Sequence, residues 1–363
     1  MNNGTRLSER IAGYYGRGKA GYALQVFFLL LLWLFAASLS VYGREVTDMS
    51  GRKVTLPDVI HKVVGISPPA TYLLYALDPT LIGGLNFPPR ESEKKYMAPG
   101  YTKLPVIGGL FGQGRTINQE ALLRIKPDFV LYWQWKDAAI EQKLRATMAQ
   151  LGLPLVAVRL DSIEDYPAAL LFLGDVLNRK ERAHKLYRYA MDTVQEAKAI
   201  KSRLKNTRKV RVYYAEGLDG LSTEPEGSIH AELIPLAGGE NVHKGEQFSH
   251  YGMEKISMEQ VLLYNPEVIL VKERAFYNRI FTDPRWQNIR AVRDRRVYLI
   301  PYVPFNWFDR PPSFMRLLGI KWLLNILHPE HYSINMVAET RAFYKLFLRV
   351  DISEKEAREI LNQ

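Results

Sequence analysis

The chain has 363 residues and no cysteine. That excludes a disulfide framework, a cysteine-ligated zinc site, a thiol nucleophile and a lipid attached to an N-terminal cysteine. Histidine is scarce, seven in all, and no His-x₃-His pair is present. G-x-S-x-G, H-E-x-x-H and G-x-x-x-x-G-K-[ST] are all missing, so no catalytic constellation is supported. The formal charge is +11, yet no run of Lys and Arg stands out, which leaves nucleic acid as the weakest class of partner. Residues 1–43 supply +3 of that charge, from Arg6, Arg10, Arg17 and Lys19 against Glu9, and the remainder carries +8.

What is present begins with a targeting signal. A basic segment leads into the apolar stretch Ala23 to Val41, with the small residues Ala36, Ala37, Ser38, Ser40 and Gly43 at and just past its end. This pattern predicts a signal peptide over 1–43. The apolar run approaches the length of a spanning helix, so an uncleaved anchor stays open. Either way the bulk of the chain is expected outside the cytoplasm. Without a lipid tether, an exported domain needs an outer barrier to retain it, which favours the periplasm.

One stretch occurs twice. Asn118-Gln119-Glu120 and Ser257-Met258-Glu259 each place an N-cap residue two positions before a glutamate, where negative charge suits a helix start. Each copy then runs an apolar helical face into a proline, Pro127 or Pro266, and continues as an acid and a short strand, Phe129-Val130-Leu131 or Val268-Ile269-Leu270. Prolines end the helices. The copies lie 139 residues apart, far beyond a solenoid period. Two α/β lobes carrying the same unit are expected.

The rest of the chain fits that plan. A hairpin is predicted over 44–61, strands over 62–66, 81–85 and 104–109, and helices over 70–77 and 138–151. The second lobe offers strands at 210–214 and 297–300 and a Pro-rich aromatic loop at 301–313. Between the lobes, 180–204 contains neither Pro nor Gly and, after a soft break at Asn178, predicts one helix of roughly 25 residues, about 37 Å at 1.5 Å per residue. The expected organisation is 1–43 signal peptide, 44–162 first lobe, 163–206 connecting helix region, 207–330 second lobe and 331–363 helical tail.

These features together resemble the class III solute-binding proteins of ABC importers, which carry siderophores, haem and cobalamin. Val63-Val64-Gly65-Ile66-Ser67-Pro68 is similar to the family's first strand and loop, the two repeat copies to its lobe motifs, and Ala237-Gly238-Gly239-Glu240-Asn241-Val242 also fits. The resemblance covers about residues 44–330. It implies two Rossmann-like lobes joined by one long rigid helix, a cleft between them, and a ligand handed to a membrane permease powered by an ATPase. It also implies that Glu120 and Glu259 dock on the permease; the competing reading, a favourable helix-start charge, explains one glutamate well but its recurrence in both halves less well. A monomer without enzymatic activity or cofactor is expected, capturing an iron-siderophore or related metal complex. Haem, a corrinoid or an oxyanion such as molybdate are alternatives, as are an exported two-lobed hydrolase and an anchored sensor domain.

Ligands of open α/β lobes sit beyond the carboxyl ends of the strands. The loops predicted there hold Arg90, Phe111, Tyr132, Trp133, Trp135, Tyr214, Arg274, Tyr302, Phe305, Trp307 and Arg310. Aromatic faces suit planar or apolar parts of a ligand, and guanidinium forks suit anionic oxygens; a core or inter-lobe aromatic cluster is the competing reading. His230, His250 and Tyr214 are weaker candidates for contact with a metal. Glu216, Asp219 and Glu226 could act as acid and base but more simply satisfy loop backbone.

Overall fold

The computed structural model describes residues 43–109, 116–134, 138–245 and 252–363. The chain divides after Arg44, and the unit from Glu45 onward contains both lobes. The signal peptide expected at 1–43 lies, but for Gly43, outside the described residues.

The first lobe opens with the hairpin β1 (Gly43–Thr47) and β2 (Lys53–Pro57). Its turn uses Gly51 at φ +82°, where a glycine escapes the Cβ penalty, and the Asp48 carboxylate accepts the backbone N–H of Ser50 and Arg52, each at 3.0 Å. Strands β3 (Val63–Gly65), β4 (Phe129–Trp133) and β5 (Leu155–Val158) form a parallel sheet in that order. The strands expected at 81–85 and 104–109 are reduced to single parallel bridges, Val63 with Ile82 and Leu85 with Val106. Pro79 opens a 3-10 turn through Leu81, and Pro105 has no N–H for a ladder, so neither segment extends.

The second lobe contains β6 (Arg211–Ala215), β7 (Ser222–Thr223), β8 (Glu240–Asn241), β9 (Glu254–Lys255), β10 (Val268–Val271) and β11 (Val297–Leu299). Its parallel sheet has the order β11-β10-β6-β8, and β7 pairs with β9 alongside. The central strands of both sheets read as unbroken apolar runs because both faces are buried.

The helices used below are α1 (Pro68–Leu77), α2 (Gln119–Ile125), α3 (Ala138–Gln150), α4 (Tyr166–Val176), α5 (Lys180–Arg203), α6 (Met258–Tyr264), α7 (Arg274–Ile280), α8 (Arg316–Leu327), α9 (Met336–Phe343) and α10 (Glu354–Ile360). The repeated unit folds alike in both lobes. Asn118 accepts the Ala121 N–H at 2.9 Å and Ser257 the Gln260 N–H at 3.2 Å. Both α2 and α6 end on a left-handed residue, Lys126 or Asn265, before the proline. The acid after the proline aligns the neighbouring strand: Asp128 accepts the N–H groups of His61 and Lys62 at 2.6 and 2.7 Å, and Glu267 that of Arg211 at 3.2 Å.

Helix α5 is a single rod of 24 residues, about 36 Å long. Asn178, at φ 55°, turns the chain into it. Its buried stripe of Ala183, Leu186, Ala190, Val194 and Ala197 follows helical spacing and packs on α4 and α8. A Cβ at Gly174 of α4 would lie 2.1 Å from the Ala183 methyl, so the two helices approach through that glycine. The C-terminal tail belongs to the same core: Phe343 and Phe347 stack at 4.3 Å, and Arg349 donates to the Tyr75 and Leu77 carbonyls at the end of α1. The result is two α/β lobes joined by a long helix, braced by the tail against the first lobe.

Candidate functional site

A cleft of about 1190 Å³ opens between segments of both lobes. The first lobe contributes the start of α1, the segment 87–90 and the end of β4; the second contributes the start of α7 and the loop 302–312. The walls are stiff. Tyr72 of α1 stacks on Phe305 with ring centroids 3.8 Å apart, and eight prolines line the space. Trp133 also lines the cleft and donates its indole N–H to Asp161 at 3.1 Å.

Six residues expected at the site border this cleft: Arg90, Trp133, Arg274, Tyr302, Phe305 and Arg310. Three do not. Tyr132 is buried in the first lobe's core, and its hydroxyl donates to Glu141 Oε1 at 2.7 Å. Strand side chains alternate, so β4 can offer Trp133 to the cleft only by turning Tyr132 away. Tyr214 is fully buried beneath the cleft and donates to Asp309 Oδ1 at 2.6 Å; burial pushes its phenol well above the ordinary value, so it stays neutral. Trp307 is also fully buried, because its loop folds down onto α8 so closely that a Cβ at Gly319 would sit 1.9 Å from the Trp307 carbonyl oxygen. Phe111, Trp135 and His250 lie outside the described residues. His230 lines the cleft.

Beneath Arg310 lies a cluster that no local sequence pattern assembles. Glu216, Glu224 and Asp309 are all buried. Arg310 Nε donates to Glu216 Oε1 at 2.8 Å and lies 3.2 Å from Asp309 Oδ2, while Nη2 pairs with Glu224. Lys272 Nζ approaches Glu216 Oε1 at 3.3 Å, and His230 Nδ1 stands 3.2 Å from Asp309 Oδ2. Glu224 also accepts Ser228 Oγ and the Met253 N–H, each at 2.7 Å. Burial, reinforced by the Asp309 charge, pushes the Glu216 carboxyl up to about 8. Asp309 goes the other way: burial opposes its ionisation, but adjacent His230, Arg310 and Lys272 outweigh burial and hold it below its ordinary value. The guanidinium expected to grip an anionic ligand is therefore engaged by the protein's own carboxylates.

A second link crosses the floor. Glu232 accepts Ser162 Oγ and the Ile163 N–H, the latter at 3.1 Å, and pairs with the buried Arg316. It ties the second lobe to the segment that leads into α4. Charges of both signs line the cleft, with the acids one ahead: Arg90, Lys272, Arg274 and Arg310 against Glu93, Asp161, Glu226, Glu232 and Glu273. The excess positive charge of the chain is thus not gathered here. Among the described residues, no group of three or more His, Asp or Glu is placed to hold a metal ion, and no helix is long and apolar enough to cross a membrane.

Two α/β lobes, a rigid inter-lobe helix and a wide aromatic cleft whose floor is internally paired define a receptor that encloses a ligand. Residues 89–304 match the family model described as periplasmic binding protein, and the chain belongs to that family. It is 26% identical over 361 residues to the molybdate-binding protein MolA of Haemophilus influenzae, covering 90% of this chain and 98% of that one. It is 27% identical over 281 residues to the vitamin B12-binding protein of Salmonella typhi, covering 76% and 94%. Among solved structures it resembles an ABC transporter solute binding protein from Sulfurospirillum deleyianum with a TM-score of 0.83 and 35% identity, covering 88% of this chain and 99% of that one. The chain is accordingly a substrate-binding component of an ABC transporter, a transport protein and not an enzyme.

Proposed function

We propose that this binding protein captures a bulky organic metal complex, with ferric siderophores the leading class, and delivers it to its permease. The observation that carries the reading is the cleft: about 1190 Å³ between stacked aromatic and proline walls. That exceeds the roughly 300–1,000 Å³ common for small-molecule pockets. Four basic against five acidic side chains around the cleft supply no net positive field for a bare anion, whereas aromatic walls suit the apolar and planar surfaces of a chelate. In this reading Arg90, Arg274 and Tyr302 give polar contacts at the rim, Trp133 and Phe305 give apolar ones, and Arg310 acts through the order it imposes on the floor. Residues 1–43 serve as the export signal, and Glu120 and Glu259 meet the permease. The length of α5 and the tail brace limit lobe movement to small amplitudes.

A second reading, a bare oxyanion ligand, is favoured by the similarity to a molybdate-binding relative across 90% of this chain. The corrinoid alternative has the B12-binding relative behind it, and the same cleft volume would suit haem. Tryptophan-quenching titrations of wild-type, Trp133→Ala and Tyr72→Ala proteins against ferric siderophores, haem, cobalamin and molybdate discriminate these readings. Each substitution is expected to weaken binding of the preferred complex about ten-fold, about 1.4 kcal/mol. Unaltered affinity in both variants would place the ligand elsewhere.

A further inference from the structure

Helices α2 and α6 differ at most positions, and the pattern of their differences is the reverse of what packing alone produces. Aligned from their N-caps, the two helices share only two residues: the glutamate, Glu120 or Glu259, and a leucine three residues later, Leu123 or Leu262. Both shared positions are exposed, the leucines at 45% and 42%. The fully buried position between them varies, Leu122 in one copy and Val261 in the other. Core contacts normally constrain the buried residue and leave the surface free. A single exposed leucine needs no explanation; the same leucine at the same offset from the same acid in both lobes does.

Residues three apart lie side by side on a helix surface. Each lobe therefore presents one acid with one leucine against it. The neighbouring exposed positions do not repeat: Arg124 pairs with Glu120, while its counterpart Leu263 is 77% exposed. We infer that Leu123 and Leu262 are the apolar halves of the permease contact, so that the partner offers, twice, a basic side chain bordered by an apolar depression. This rests on the reading of Glu120 and Glu259 as permease contacts. The chemistry supplies the reason for the pairing. An ion pair brought out of water gains little by itself, because desolvation offsets attraction. An adjoining apolar contact excludes water from the pair and adds the burial that an ion pair lacks.

The test measures binding of the ligand-free protein to its own permease–ATPase complex in nanodiscs by surface plasmon resonance. Leu123→Ser combined with Leu262→Ser is expected to weaken this binding at least ten-fold while thermal unfolding stays at the wild-type temperature. Leu263→Ser, the more exposed but unduplicated leucine, is expected to bind as wild type. Wild-type binding by the double leucine variant, with binding lost in Glu120→Ala plus Glu259→Ala, overturns the inference and leaves the glutamate reading standing. Wild-type binding by both double variants overturns the glutamate reading itself. Equal damage from Leu263→Ser, or a wild-type dimer in size-exclusion chromatography that the leucine variant abolishes, also overturns it, the latter by making a second copy the occupant.

Discussion

Replacing Arg310 with methionine should destabilise the protein by about 3–5 kcal/mol, the usual cost of removing one partner from a buried ionic cluster. The magnitude follows from what Arg310 serves. It is the cation shared by Glu216, Glu224 and Asp309, all buried; among the described residues Lys272, 3.3 Å from Glu216, is the permanent positive charge left paired with the cluster. The loss should also depend on pH. In the wild type, Glu216 holds its proton up to about pH 8 when folded, against an ordinary value of 4.5. Between those limits the folded state binds the extra proton, so this residue lowers stability progressively as pH rises through the window and no further above it. Arg310 favours the ionised forms of Glu216 and Asp309; without it both resist ionisation, and the deficit of the variant should be larger at pH 8 than at pH 5. Urea denaturation at the two pH values measures this. An equal deficit at both would mean that Arg310 contributes packing rather than charge.

Transport should fall to background when Glu120 and Glu259 are both changed to alanine, a loss of more than about a hundred-fold that no structural role of these residues can produce. The Glu120 side chain is 76% exposed, and Glu259 is exposed at the start of α6. Glu259 is held ionised below its ordinary value by its own backbone N–H and Ser257. Both helices keep their caps in the variant, since Asn118 and Ser257 make those bonds. Helix-start charge is worth only about 0.3–1 kcal/mol, which leaves the folded population unchanged. Ligand affinity should therefore stay at the wild-type value while uptake disappears. A drop in ligand affinity, or a marked fall in melting temperature with uptake intact, would return both residues to a local structural role.

These expectations show which parts of the molecule are written locally in the chain. The repeated unit is legible because its signals are short-range: an N-cap, a proline stop and a β-branched run. The long helix is legible through what 180–204 lacks. The segments 81–85 and 104–109 read as full strands because apolar residues flanked by Gly and Pro suggest a strand whether or not a ladder forms; Pro79 and Pro105 restrict both segments to single bridges. Trp133 and Tyr132 are neighbours in sequence and face opposite ways, a choice set by the register of β4 against β5. The floor of the cleft is the least legible. Arg310 meets partners 94 and 86 residues away, and no local pattern announces such a pairing. For the same reason the +8 on the chain beyond residue 43 is a poor guide to the cleft, where acids outnumber bases by one. Tyr72 reads in sequence as an ordinary helix residue, although its place four residues into a helix that opens on Pro68 at the strand end is a usable signal.

The central claim is that the cleft is built for a bulky metal complex and not for a small bare anion. Isothermal titration calorimetry of the wild-type protein against a panel of ferric siderophores and against molybdate tests it most directly. The account predicts binding at or below about 1 μM, near −8 kcal/mol, for at least one ferric complex and no measurable heat with molybdate. Tight molybdate binding with no response to any ferric complex would contradict it.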